Sequence, residues 1–217
     1  MSNNRILLIF IWMSFVTNQL LSESAFSQTG NEANEHIKSI TSAKIQLSPE
    51  KFSVCHHYGC NQIQEVSIDP VLWDKLSDDF KAKSHSSYLE RAYIAEFIGN
   101  METIIGRITN TQYDNAGTFL LYLDLGKAKS HQMDCIDESI NSFSYLKLLE
   151  NENKLHFHKL EGLVTRGGLV AGYPHTAVLI TEHNSSKKYV VDSWFLANGR
   201  PATIVQYKLW KSGWKPR

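Results

Sequence analysis

The sequence predicts an α+β domain in which helices come first and a largely antiparallel sheet second. Two observations carry that reading. Between residues 70 and 150, three segments repeat apolar residues at helical spacing; from residue 154 onward the pattern turns into short β-rich runs separated by Gly, Asn, Ser and Pro. The composition agrees: 42% hydrophobic and 20% charged residues are those of an ordinary globular protein. With 22 Lys plus Arg against 22 Asp plus Glu, there is no overall basic field for nucleic acid.

The N-terminus reads apart from this domain. "MSNNRILLIFIWMSFVTNQLLSESAFSQ" carries Arg5, the apolar run Ile6 to Val16, then small polar residues, the pattern of a secretory signal peptide over residues 1–27. The run is too short for a spanning helix, which needs ~20 residues. Ala25-Phe26-Ser27 is a fair cleavage signal. An uncleaved anchor is the weaker reading, because Ser and Glu follow the run. The expectation is a periplasmic or secreted protein, off the membrane once the signal is cleaved. Residues 28–48 are polar and unpatterned, and read as a flexible lead into a domain over 49–217.

Each element has its own signal. "FSVCHHYGC" and "QEVSI" read as short extended pieces around a turn at Gly59. Pro70 opens the first helix, "PVLWDKLSDDFKAK", at a first-turn position. The second runs from about Ser87 to Ile105, where Ile94, Phe97, Ile98, Met101 and Ile105 make a core-facing stripe. "NTQYDNAGTF" is a loop. The third helix is "DCIDESINSFSYLKLLE", with Ile136, Ile140, Phe143 and Leu146 on one face. "KLHFHKLEGLV", "HTAVLITE", "KKYVVDSWF" and "ATIVQYKLW" then read as strands.

The three cysteines are an odd number for an exported chain, which leaves one thiol free. Cys55 and Cys60 are close enough in sequence for a small disulfide loop. A metal site from Cys55, His56, His57 and Cys60 ranks below it, because adjacent histidines rarely both reach one ion; two unreacted thiols are a third reading. Cys135 is the remaining thiol. Asp134 is a good N-cap and Asp137 lies three residues on, so Cys135 becomes the first helical residue, among unpaired N–H groups that favour a thiolate. Asp134, Asp137 and Glu138 then serve the cap or the substrate.

A thiolate nucleophile also needs a base. Of nine histidines, His175 stands out, since it opens the apolar run "HTAVLI". In "YVVDSWF", Asp192 is the one carboxylate of an apolar strand, and a buried aspartate needs a partner. A hairpin turning near His183 to Ser185 places Asp192 opposite or diagonal to His175, with cross-strand Cβ atoms ~5 Å apart. The residues thus suggest Cys135 as nucleophile, His175 as base and Asp192 as the group that orients the imidazole.

"DCIDES" opening a helix, then "HTAVLI", then "YVVDSW", resemble the bacterial transglutaminase-like cysteine proteinases of the wider papain-like superfamily. The resemblance covers roughly residues 130 to 195. It implies a papain-like or transglutaminase-like fold, with a helical half carrying the nucleophile helix packed on an antiparallel sheet, and Cys135, His175 and Asp192 as the triad. Periplasmic members are often calcium-dependent, and Asp134, Asp137 and Glu138 are the residues such a reading would use. Capping is the simpler role for them, and no cofactor is expected. "CHHYGC" lies outside the family pattern.

The function expected is acyl transfer on an amide: a cysteine peptidase or amidase, or a transglutaminase. The substrate would be a protein, a peptide or a cell-wall peptide. For the oxyanion, the Cys135 N–H is the natural donor, with Gln132 or Tyr113 as a second. A competing reading is a non-catalytic exported binding or assembly protein, with Trp194, Trp210 and Trp214 as a surface; core packing explains these tryptophans more simply. A third is a metal hydrolase on His156, His158 and His175, since "HFH" would place two histidines on one face of a strand.

Overall fold

The computed structural model describes residues 38–39, 47–119, 131–168 and 172–217. The chain divides into two units, Met1–Lys38 and Ser39–Arg217, and every element named below belongs to the second. The expected signal peptide, and all but four residues of the expected flexible lead, lie outside the described residues.

The architecture is α+β. A two-stranded antiparallel hairpin, β1 (Phe52–His56) and β2 (Gln62–Val66), is followed by three helices: α1 (Pro70–Lys83), α2 (Ser87–Thr109) and α3 (Cys135–Asn151). A four-stranded antiparallel meander comes next, from β3 (His158–Gly168) through β4 (Gly172–Glu182) and β5 (Lys188–Asp192) to β6 (Thr203–Gln206). A short helix, α4 (Tyr207–Lys211), follows β6.

Each helix start has a chemical cause. The Asp69 carboxylate accepts the Leu72 N–H at 3.0 Å, and Pro70 stands in the first turn of α1. Ser86 Oγ accepts the Leu89 N–H at 3.2 Å at the head of α2. α2 runs four residues beyond the expected Ile105 and stops where Asn110 turns left-handed, at φ 60°. Its middle touches the far end of the chain. A Cβ on Gly99 would stand 2.9 Å from the Arg200 backbone, so only glycine fits at this crossing. The Ala202 N–H closes the contact on the Ala95 carbonyl at 3.0 Å.

α3 is the central element. It packs against β1, β3 and β4, and Ile140, Leu146 and Leu149 are wholly buried. A second apolar cluster, Ala177, Val190, Val205 and Trp210, lies between the sheet and α4.

The expected strands all shift at their ends: β4 starts at Gly172, ahead of His175, and β5 stops at Asp192, short of Phe195. The run from Lys154 becomes strand only at His158, because the Glu90 carboxylate takes the His156 and Phe157 N–H groups at 2.8 and 2.9 Å. His156 and His158 therefore do not share a strand face. The run "ATIVQYKLW" ends as strand at Gln206 and turns into α4, which folds the fully buried Trp210 back under the sheet. Among the described residues no helix is long and apolar enough to cross a membrane.

Candidate active site

The start of α3 carries a complete capping box. The Asp134 carboxylate accepts the Ile136 and Asp137 N–H groups at 3.0 and 3.1 Å, and Asp137 Oδ2 accepts the Asp134 N–H at 3.1 Å. Cys135 is the first helical residue, and its N–H is left outside this cap. The cap is itself clamped. Cys55 and Cys60 are joined by a disulfide, and the loop they close runs through left-handed His57, Tyr58, Gly59 and Cys60. From that loop the Cys60 N–H donates to Asp137 Oδ1 at 2.7 Å, and the Tyr58 N–H also bonds Asp137. Asn141, one turn on, exchanges two bonds with the Cys55 backbone, at 2.7 and 2.8 Å. The disulfide loop thus holds the end of α3 that carries Cys135, a link that joins residues 77 apart in sequence.

His175 and Asp192 are bonded to each other, and Cys135 reaches the backbone on either side of His175. The Cys135 thiol donates to the Pro174 carbonyl at 3.9 Å, and the Thr176 N–H bonds the sulfur. The two residues that bracket His175 therefore both touch Cys135. His175 Nε2 lies 2.7 Å from Asp192 Oδ2. The β4–β5 register pairs Val178 with Val191, which sets Asp192 opposite Ala177 and diagonal to His175. A carboxylate only accepts, so the bonded Nε2 carries the proton and the lone pair of a neutral ring falls on Nδ1. His175 Nδ1 is buried and has no hydrogen-bond partner among the described residues. Trp194, Phe195 and Trp210 surround the imidazole, with ring centroids at 4.6, 5.2 and 5.7 Å.

The thiol is hard to ionise in this resting arrangement. Burial pushes it up to about 12, and Asp134, Asp192 and Asp137 push in the same direction; the Thr176 N–H works against them. The helix end alone does not supply a thiolate here. The Pro174 and Thr176 contacts bring His175 alongside the thiol.

Gln132 and Tyr113 are placed differently from each other. Gln132 is buried, donates from Nε2 to the Tyr113 carbonyl at 3.0 Å, and accepts the Asn115 N–H at 3.1 Å. Its carboxamide thus anchors the loop of residues 111–119. The Tyr113 side chain is 80% exposed. The same loop is tied to Trp194, whose Nε1 donates to the Thr118 carbonyl at 2.7 Å.

Glu138 neither caps nor approaches the sulfur. It is buried, accepts the Ser193 hydroxyl at 2.5 Å and faces the carboxyl of Glu102 from α2. Burial drives Glu138 well above the usual carboxylate range and Glu102 up to about 7. Asp114, which accepts the Met133 N–H at 2.7 Å, is pushed by burial to about 8. Glu102 Oε1 has no donor among the described residues, a place that a proton shared with Glu138 would fill. This acid pair was invisible in the sequence, where Glu102 reads as one polar position of an amphipathic helix.

A histidine-based metal centre does not form from the expected residues. His158 Nδ1 is 2.9 Å from Glu90 and its Nε2 is 3.1 Å from Arg91, so both ring nitrogens are engaged. Among the described residues no group of three or more His, Cys, Asp or Glu is arranged to hold a metal ion. Nor do the three tryptophans make an open platform: Trp210 is fully buried, and Trp194 and Trp214 are half-buried. Comparisons of the chain with protein-family models, with curated proteins and with solved structures found no match.

Proposed function

We propose that this chain is a thiol-dependent acyl-transfer enzyme with a papain-like or transglutaminase-like arrangement, acting on amides of a protein, a peptide or a cell-wall peptide. One observation carries the reading: the Cys135 sulfur lies against the backbone on both sides of a histidine whose far nitrogen is bonded to a buried aspartate. The disulfide fits export into an oxidising compartment, periplasmic or extracellular.

In the proposed cycle His175 Nδ1 takes the thiol proton as the Cys135 sulfur adds to the amide carbon. Asp192 stabilises the imidazolium, and the Cys135 N–H lies nearest the developing oxyanion. The imidazolium proton passes to the leaving amine, and a thioester remains. Water, giving hydrolysis, or an amine, giving transamidation, then releases the acyl group and returns the thiol.

One observation favours the competing reading of a non-catalytic assembly protein that keeps the fold: the resting thiol is neutral and bonded to a carbonyl. Alkylation separates the two. Cys135 is the only unpaired cysteine, so iodoacetamide modification followed by mass spectrometry reports on it alone. The expected result is rapid modification near neutral pH that slows by about 10²-fold or more in His175→Ala, the range general-base assistance supplies. Slow modification, equal in both proteins, supports the assembly protein instead.

A further inference from the structure

Asp192 is 2% exposed, and its two oxygens are used unequally. Oδ2 is 2.7 Å from His175 Nε2 and also 2.7 Å from Trp210 Nε1. Oδ1 is buried and has no hydrogen-bond partner among the described residues. Oδ1 therefore does not hold the carboxylate plane in place. If the indole bond were absent, the imidazole that Asp192 is meant to orient would be its sole hydrogen-bond partner among these residues.

Trp210 is itself held from outside the triad. Its helix, α4, is too short to be stable alone. Arg166, on β3 directly opposite His175, binds the carbonyls of Trp210 and of Trp214, the latter at 2.8 Å. The guanidinium also lies over the Trp210 ring, 4.6 Å from its centre. Lys211 Nζ adds a bond to the Thr165 carbonyl at 2.5 Å. Arg166 is buried, and the nearby Asp192 carboxylate offsets its charge. A guanidinium, an indole, a carboxylate and an imidazole thus follow one another from β3 to the nucleophile.

We infer that Trp210 is a positioning residue of the Cys135–His175–Asp192 triad, aiming Asp192 Oδ2 at His175 Nε2 from a helix that Arg166 pins in place. This rests on the acyl-transfer reading. A core tryptophan could satisfy its N–H on any carbonyl. This one bonds the same oxygen as the histidine.

Trp210→Phe tests the inference, since it keeps a buried ring and removes the N–H. The readout is the pH profile of Cys135 alkylation beside the melting curve. The expected result is a variant that still melts cooperatively, while alkylation below pH 7 slows by about tenfold or more, the factor matching a lost hydrogen bond to a charged group. Its profile moves toward that of His175→Ala. A Trp210→Phe profile superimposed on a His175-dependent wild-type profile overturns the positioning role and leaves the acyl-transfer reading intact. A wild type whose alkylation ignores His175 overturns both. Should the variant fail to fold, the wild-type indole N–H resonance of Trp210 decides. It is expected to be slow to exchange and strongly displaced in Asp192→Asn. A resonance unmoved by that substitution overturns the inference.

Discussion

Replacing Asp137 by alanine is expected to cost about 3 to 5 kcal/mol of folding stability, because at least two buried N–H groups lose their acceptor at about 1 to 3 kcal/mol each and the helix loses half of its capping box. Asp137 is fully buried and bonds the N–H groups of Cys60, Tyr58 and Asp134. Two of those donors belong to a loop of consecutive left-handed residues, which has little stability of its own. Asp137→Asn keeps one oxygen for Cys60 and is expected to fall between alanine and wild type. Urea denaturation with the disulfide intact measures both. A stability change under ~1 kcal/mol in Asp137→Ala would mean that the disulfide loop and the helix start are independent, with no clamp between them.

The second large effect is on pH. Glu102, Asp114, Asp137 and Glu138 are all raised above the ordinary carboxylate range by burial. The folded chain therefore keeps protons that the unfolded chain releases above pH ~4 to 5. Stability from these groups is fully present below that range. It is lost as pH rises through the folded values, about 7 for Glu102 and about 8 for Asp114. His56 acts in the opposite sense. Burial lowers it, so its contribution is present above about 6.5 and is lost as pH falls through the lower folded value. The melting temperature is thus expected to peak at mildly acidic pH and to fall by several degrees toward pH 8.5, a loss of a few kcal/mol. Glu102→Gln removes one titrating member of the pair and should flatten the alkaline side of the curve. A melting temperature that climbs from pH 5.5 to 8.5 would contradict protonation of these buried acids.

The grouping of the three candidate residues was legible in the sequence because each announces itself locally. Cys135 follows an N-cap aspartate, His175 opens an apolar run, and Asp192 is a lone carboxylate among Tyr189, Val190, Val191 and Trp194. Hairpin geometry alone then brings the last two together. What supports the triad was not legible, because it depends on partners far apart in the chain. Arg166 falls just past the run that reads as the first strand of the sheet, and Trp210 within the fourth. Only the turn after Gln206 puts the indole on Asp192. The Cys55–Cys60 pairing was accessible from spacing and compartment, but its purpose was not. The clamp is made by backbone N–H groups, which carry no residue signature. "HFH" departs from strand alternation for a related reason: a buried glutamate, Glu90, takes the backbone donors and the His158 ring together.

Under the proposed function, Cys135 takes up an acyl group and passes it on with the help of His175. The direct measurement is intact-mass analysis of the disulfide-bonded protein mixed with an activated acyl ester, with and without hydroxylamine as acceptor. The expected result is a single acyl group on Cys135, formed at neutral pH and cleared by hydroxylamine. It should be strongly reduced in His175→Ala and absent in Cys135→Ala. Acylation spread over lysines, or a Cys135 adduct formed equally fast without His175, would contradict it.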